Sequence, residues 1–195
     1  MSPKVNFFKK WVYRSITIEK IKHIGILSRF KTSKHQKKYD LLVLLSGPEP
    51  QRTLLEQKLL SELQNFNKKT LFVRGVFEKE KLKNTTNITF NNYLLSSDLE
   101  SVIQQSNIVI CRSGYSTIMD LAKLGAKALF IPTPGQFEQE YLAEHLKSLK
   151  IAPFTLQGEI KTECFKEIKN YSGFKNENET FDLRLFQLFK SKSKF

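Results

Sequence analysis

Runs of four to six apolar residues recur along the chain, separated for much of its length by stretches with helical periodicity, and few architectures accommodate that alternation. The runs fall at 23–27 (HIGIL), 40–45 (DLLVLL), 70–73 (TLFV), 87–90 (NITF), 107–111 (NIVIC), 127–131 (KALFI) and 151–155 (IAPFT). Several are apolar without alternation, as strands of a parallel sheet covered on both faces must be. Between them, 51–66, 98–105, 117–124 and 136–149 read as helices, the first carrying Leu54, Leu55, Leu59, Leu60 and Leu63 at a period of 3.6. Strand and helix in alternation imply right-handed crossovers and an α/β fold, a doubly wound and mostly parallel sheet in a single Rossmann-like domain. Two further helices are expected at 162–169 and 181–190, around a polar loop.

The chain's 195 residues suffice for one well-buried domain and fall short of two. Its charge is unevenly placed. Residues 1–38 hold eleven Lys and Arg against one acid, Glu19, whereas the other residues hold 21 against 18. A nearly neutral folded part argues against a nucleic-acid partner, which calls for a basic stripe across the folded surface. Phe7, Phe8, Trp11 and Tyr13 interleave with Lys9, Lys10 and Arg14. That pattern fits either a segment lying at a membrane surface or the edge of a preceding domain. The expected organisation is a basic aromatic segment over 1–21, a Rossmann-like domain over 22–157 and a helical tail over 158–195. Cys111 and Cys164 are 53 residues apart with no CxxC pair, and His23, His35 and His145 form no ligand pattern, so neither zinc nor a disulfide framework is expected. No apolar run approaches a membrane span and no leader pattern follows Met1, so the expectation is a cytoplasmic protein.

Ligands of doubly wound sheets bind beyond the carboxyl ends of the strands, which singles out three loops. The first, SGPEPQR, follows DLLVLL; Ser46 and Gly47 allow a sharp turn that aims backbone N–H groups at a phosphate, or they form only a turn. The second, RSGYSTIMD, follows NIVIC. Here Ser113, Gly114 and Ser116 suit an anion nest, and Asp120 either receives ribose hydroxyls or pairs with Thr117 as a capping box. The third, PTPGQFEQEY, carries Gln139 and Glu140, able to sort sugar hydroxyls or to form a solvated polar face.

In order and spacing these loops resemble the nucleotide-sugar half of a GT-B glycosyltransferase, specifically the C-terminal domain of glycosyltransferase family 28, the type that includes the peptidoglycan lipid-intermediate N-acetylglucosaminyltransferase. The stretch CRSGYSTIMDLAKLGAKALFIPTPGQFEQEYLAEHL is similar to that family's C-R-S-G motif, with an acid seven residues beyond its Ser, followed by P-x6-Q-Q. The resemblance places Asp120 on the acid that binds ribose, Gln139 on the first glutamine of the donor-sugar pair and Glu140 on the second. It places Arg29 on an arginine that closes over the diphosphate, and Leu95 and Ser96 on the turn that reads the uracil edge. Ser46 and Gly47 replace a Gly-Gly pair, and Pro48 stands where the family has a phosphate-binding serine.

What the resemblance implies is a domain that binds a UDP-sugar, UDP-GlcNAc-like, for an inverting hexosyltransferase. It implies no cofactor beyond the donor substrate and no metal, since GT-B enzymes stabilise the leaving diphosphate with arginine and helix N-termini. The catalytic base is expected on an acceptor domain or partner subunit, working near the inner face of the membrane. A non-catalytic nucleotide-sugar-binding module is the alternative.

Overall fold

Within the run DLLVLL, Leu42 points to one side of the strand and Leu41 and Val43 to the other, and none is more than 2% exposed. A strand buried on both sides lies inside a sheet that has helices on both faces. In the computed structural model, which describes residues 25–80 and 82–175, this run is β1 (Tyr39–Leu44), the central strand of five. β2 (Thr70–Val73) and β3 (Ile88–Asn91) lie to one side of it, and β4 (Ser106–Cys111) and β5 (Ala128–Phe130) to the other, in the order β3-β2-β1-β4-β5. Every pairing is parallel, with Leu42 in register with Leu71 and Val109.

α1 (Gln51–Leu63) presents Leu55, Leu59 and Leu63, at spacings of four, to the face that holds Leu41, Val43 and Phe72. Leu54 lies off this stripe, 46% exposed. α2 (Ser96–Gln104), α3 (Tyr115–Leu124) and α4 (Phe137–Ser148) cover the other face through Ile103, Ile118, Leu121, Leu142 and Leu146. α3 stops where Gly125 adopts φ +64°, a left-handed cap that glycine takes without steric cost. The segment from residue 158 also packs on the sheet: Ile160, Phe165 in α5 (Cys164–Glu167) and Ile168 join the α1 side, and Phe174 joins the other.

Two expected strands are absent in the described residues. Of 23–27, the described part, Gly25–Leu27, pairs with no strand. Ile26 and Phe30 instead bury in the face formed by α2 and α3, and the segment continues as a strap whose Lys31 and Ser33 N–H groups donate to Glu100 (2.8 Å) and Gln104 (2.7 Å). Helix side chains thus satisfy backbone groups that a strand would pair with a neighbour. The run 151–155 contributes a single bridge, Phe130 to Phe154. Pro153 lacks the N–H that a ladder needs there, which limits pairing to this edge contact. The helix expected at 181–190 lies outside the described residues, and the one at 162–169 is the single turn α5 followed by a 3-10 turn, Ile168–Asn170.

Candidate functional site

The chain runs outward from β1 to β3, then returns to lay β4 on the opposite side of β1, so strand order reverses between β1 and β4. A crevice opens at such a reversal, beyond the carboxyl ends of the two strands. The loops at its mouth are those after β1 and β4, flanked by the loop after β5.

Arg112 ties the three together. It ends NIVICR, only 2% exposed, directly after β4. Its Nη1 donates to the carbonyls of Ile131 and Pro132 (both 3.1 Å) in the third loop, and its Nη2 to the carbonyl of Gln51 (3.0 Å) at the head of α1 and to Gln157 Oε1 (2.7 Å). Gln157 Nε2 returns a bond to Gln51 Oε1 at 2.9 Å. Burial without a carboxylate pushes the guanidinium down to about 10. Sequence reasoning assigned Arg112 no role. The available signal was a charged residue continuing a buried strand, which obliges it to find several acceptors.

Ser113 is fully buried, and its hydroxyl donates to the Gln139 carbonyl at 2.7 Å, so this side chain joins the second loop to α4. Gln139 Oε1 accepts the Thr133 N–H (2.9 Å), its amide donates to Gln136 Oε1, and Glu140 Oε1 accepts the Gly135 N–H (3.1 Å). The pair therefore caps the loop it terminates, an arrangement different from the solvated polar face that the residues alone suggested. Gly47, at φ +108°, lies over Thr133, whose Oγ1 is 3.8 Å from where a Cβ would stand and is buried without a hydrogen-bond partner. Ser46 is exposed beside it.

The N-terminus of α1 holds an anion of the chain's own. Glu49 Oε2 accepts the Thr53 N–H at 3.1 Å and Oε1 accepts Arg52 Nε–H at 2.6 Å, and the Thr53 side chain, ahead of Arg52, holds the carboxyl below its usual range. Arg52 Nη1 also donates to Glu56 at 2.5 Å, and Glu56 in turn pairs with Arg74, whose Nη1 reaches Glu78 at 2.8 Å. The Arg52 backbone N–H goes to the Pro48 carbonyl. Part of the donor set that a phosphate would use here is thus already engaged.

α3 is different. It begins at Tyr115 with Gly114 as its N-cap and no side-chain cap, three residues before the start that a Thr117–Asp120 capping box requires. Gly114 has open space around it and Ser116 is exposed. Asp120, freed from capping, accepts the Ser28 hydroxyl at 2.5 Å, and Arg29 acts on it electrostatically. Partial burial raises its carboxyl above the ordinary value, opposed by Ser28 and Arg29. Arg29 itself is exposed, its guanidinium 5.3 Å from the Phe30 ring centre. Ser28 was not anticipated because it is linked to Asp120 across 92 positions.

The structure therefore brings Arg29 within electrostatic reach of Asp120 but not into an ion pair with it, joins Ser113 to Gln139, and sets Gly47 over the third loop. Leu95 and Ser96 sit farther along the rim. Leu95 is the N-cap of α2, 65% exposed, and its carbonyl accepts the Leu99 N–H at 2.8 Å; no hydrogen bond or ring contact links either residue to the other candidates. Among the described residues no group of three His, Cys, Asp or Glu is placed to hold a metal ion, and no helix is long and apolar enough to cross a membrane. Cys111 and Cys164 are free thiols.

Residues 43–181, well over half of the chain, match the family model described as the glycosyltransferase family 28 C-terminal domain. The chain belongs to that family. Among curated proteins, the UDP-N-acetylglucosamine--N-acetylmuramyl-(pentapeptide) pyrophosphoryl-undecaprenol N-acetylglucosamine transferase of Buchnera aphidicola subsp. Acyrthosiphon pisum (strain Tuc7) is 31% identical over 101 residues, 49% of this chain and 28% of the relative. The protein of the same description from Haemophilus ducreyi is 25% identical over 143 residues, 69% of this chain and 39% of that one. The family 28 domain described here thus spans well under half the length of these relatives. Among solved structures, the glycotransferase of kitacinnamycin superposes with a TM-score of 0.56 at 15% identity, covering 75% of this chain and 39% of the other. That likeness fixes the architecture: a Rossmann-like α/β domain corresponding to one half of a GT-B glycosyltransferase.

Proposed function

We propose that this family 28 domain binds the donor of an inverting hexosyltransferase, a UDP-sugar of the UDP-GlcNAc kind, in the crevice beyond β1 and β4. One observation carries the reading: a half-buried carboxylate, Asp120, is held by Ser28 beside Arg29 next to an uncapped helix N-terminus, at the acid position of the C-R-S-G motif. A carboxylate so held can receive two ribose hydroxyls, while the first N–H groups of α3 and the Arg29 guanidinium face the diphosphate. Leu95 and Ser96 offer backbone N–H and C=O groups to the uracil edge. Gln139 and Glu140 sit where a hexose would lie. The curated relatives' descriptions name UDP-N-acetylglucosamine, which agrees with this donor class.

In the reaction an acceptor oxygen attacks the anomeric carbon, the bond from that carbon to the diphosphate breaks, and UDP leaves with the electron pair. The acceptor proton passes to a base on an acceptor domain or partner subunit, either part of one longer enzyme or a separate chain of a split transferase. Arg29 and the α3 N-terminus stabilise the charge that develops on the departing phosphate. The basic aromatic residues 1–21 suit work at the cytoplasmic face of a membrane, with 22–157 as the nucleotide-sugar domain and 158–195 as its C-terminal extension.

A second reading, a nucleotide-sugar-binding module without turnover, is favoured by Glu49, whose carboxylate occupies the head of α1. Calorimetric titration of the chain with UDP tests the first requirement. Asp120→Ala should weaken binding by about 1–3 kcal/mol, the scale of a lost charged hydrogen-bond partner; unchanged affinity in a folded variant removes Asp120 from the site. Transfer or hydrolysis of UDP-GlcNAc, with and without an acceptor half, separates enzyme from module.

A further inference from the structure

At the opposite end of the sheet from these loops, the C-terminal ends of α2 and α3, the start of β4, the N-terminal strap and the turn after α5 border an open cleft of about 950 Å3. Lys34, Lys37, Lys127, Lys166 and Lys169 line it, and among the described residues no Asp or Glu does. Its floor is apolar, formed by Ile103, Leu124, Phe165 and Ile168, none more than 9% exposed. A smaller cavity beside it shares His35 and Lys37, adds Lys38 and Lys69, and likewise has no acid among the described residues that line it.

One of these lysines has a structural task. Lys37 Nζ donates to the carbonyls of Gln104 (3.0 Å) and Ser106 (2.6 Å), closing the C-terminus of α2, and burial lowers its pKa. Lys34, Lys127, Lys166 and Lys169 are exposed and have no ion-pair partner among the described residues. Lysines at helix C-termini are favoured by the helix dipole, which accounts for a cation near α2 and α3. That dipole does not account for Lys166 and Lys169, which belong to a turn too short to have an appreciable one. Like charges gathered over a low-dielectric floor repel one another and focus a positive field into the cleft, an arrangement that a compact polyanion relieves.

We propose that this cleft is a second anion site, distinct from the donor crevice, which takes a multiply charged phosphate group, either free or as the headgroup of an anionic lipid. The inference does not depend on the donor reading. Its test uses the full chain in two arms: calorimetric titration with inorganic pyrophosphate, and co-sedimentation with phosphatidylcholine vesicles with and without phosphatidic acid, whose phosphomonoester can carry two charges. Each is repeated on Lys166→Glu/Lys169→Glu and on Lys166→Arg/Lys169→Arg, with circular dichroism confirming the fold. The charge reversal should weaken binding about tenfold or more in the arm that represents the true source, since each lysine near a phosphate surface contributes on the order of a kcal/mol, and the arginine pair should retain it. Pyrophosphate binding lost on reversal identifies a free phosphate, and vesicle binding lost on reversal identifies a lipid headgroup. Equal affinities for wild type and the reversed pair in both arms, or no binding by wild type in either, would overturn the proposal. Vesicle binding that survives reversal but vanishes on removing residues 1–21 would overturn its lipid form.

Discussion

Replacing Arg112 by Met retains the unbranched apolar stem of the side chain and removes every donor it brings to the junction of the three loops. Four acceptors lose their partner: the carbonyls of Ile131, Pro132 and Gln51, and Gln157 Oε1. The bonds to Ile131 and Pro132 are buried and those to Gln51 and Gln157 partly so; with an unpaired buried acceptor costing about 1–3 kcal/mol, the low end summed over four gives an upper figure of about 4 kcal/mol. Removing the guanidinium also relieves its own desolvation, which is why its pKa falls to about 10, and this offsets part of the loss. The expected net is about 3 kcal/mol of destabilisation, or roughly 6–12 °C in Tm for a domain of this size. Urea unfolding followed by far-UV circular dichroism measures it directly. Gln157→Ala in the same background supplies the control: because Arg112 and Gln157 are bonded, their effects should fall short of additivity by at least about 0.5 kcal/mol. A loss under about 1 kcal/mol for Arg112→Met, with additive effects, would show that Arg112 does not hold the loops together.

Gly75→Ala should destabilise by about 2 kcal/mol or more, because φ is +72° and the added Cβ would stand 2.4 Å from the Leu45 carbonyl oxygen; urea midpoints report it, and a change within 0.5 kcal/mol or so refutes it. Glu49→Gln removes a negative charge from the head of α1 while keeping an acceptor for Thr53, so UDP affinity should rise several-fold and uridine affinity should stay level in parallel titrations. Glu140→Gln should leave UDP affinity within about twofold and change the ranking of UDP-sugars in a competition assay, since the amide adds two donors where the carboxylate only accepts. Asp120 has a raised pKa, so the folded state binds its proton more tightly than the unfolded chain does. Its burial therefore costs stability above that pKa, and the cost fades as pH falls through it. Asp120→Asn should consequently be more stable than wild type at neutral pH, with the difference shrinking under acid in paired urea titrations, while losing UDP affinity.

How far the sequence anticipates the structure depends on the range over which each interaction acts. β1, β2, β4 and β5 are legible because a strand buried on both faces must be largely apolar, β3 because Ile88 and Phe90 alternate with Thr89 and Asn91 at the sheet edge, and α1 because Leu55, Leu59 and Leu63 repeat locally. The runs 23–27 and 151–155 have the same composition as true strands, yet whether a backbone pairs depends on which neighbour arrives. In the first case Ile26 buries against α2 and α3 and the chain continues as a strap whose Lys31 and Ser33 N–H groups go to Glu100 and Gln104, and in the second Pro153 has no N–H to give. The candidate site divides likewise. That Asp120 lies in the helix after β4 and Gln139 and Glu140 at the start of the helix after β5 follows from spacing along the chain. Their bonds to Ser28, Thr133 and Gly135 do not, and neither does the function of Arg112, whose four acceptors are 19 to 61 positions away.

Those bonds bear on what ligand binding must accomplish. The oxygens of Gln139, Glu140 and Glu49 accept backbone N–H groups from their own loops, and the Ser113 hydroxyl is spent on the Gln139 carbonyl. A hexose or diphosphate engaging these groups would exchange one set of hydrogen bonds for another, and an exchange of that kind yields little net free energy. Groups not so engaged can contribute more: the backbone N–H groups of Ser116 and Thr117 in the first turn of α3, the exposed Ser116 hydroxyl, the Arg29 guanidinium and the remaining acceptor capacity of Asp120. Affinity for a nucleotide sugar should therefore reside mainly in its ribose and phosphates, with the hexose adding selectivity rather than strength. UDP and UDP-GlcNAc should bind within a few-fold of each other; a UDP-sugar bound a hundredfold more tightly than UDP would mean that Gln139 and Glu140 give up their loop bonds at a profit, which the geometry gives no reason to expect.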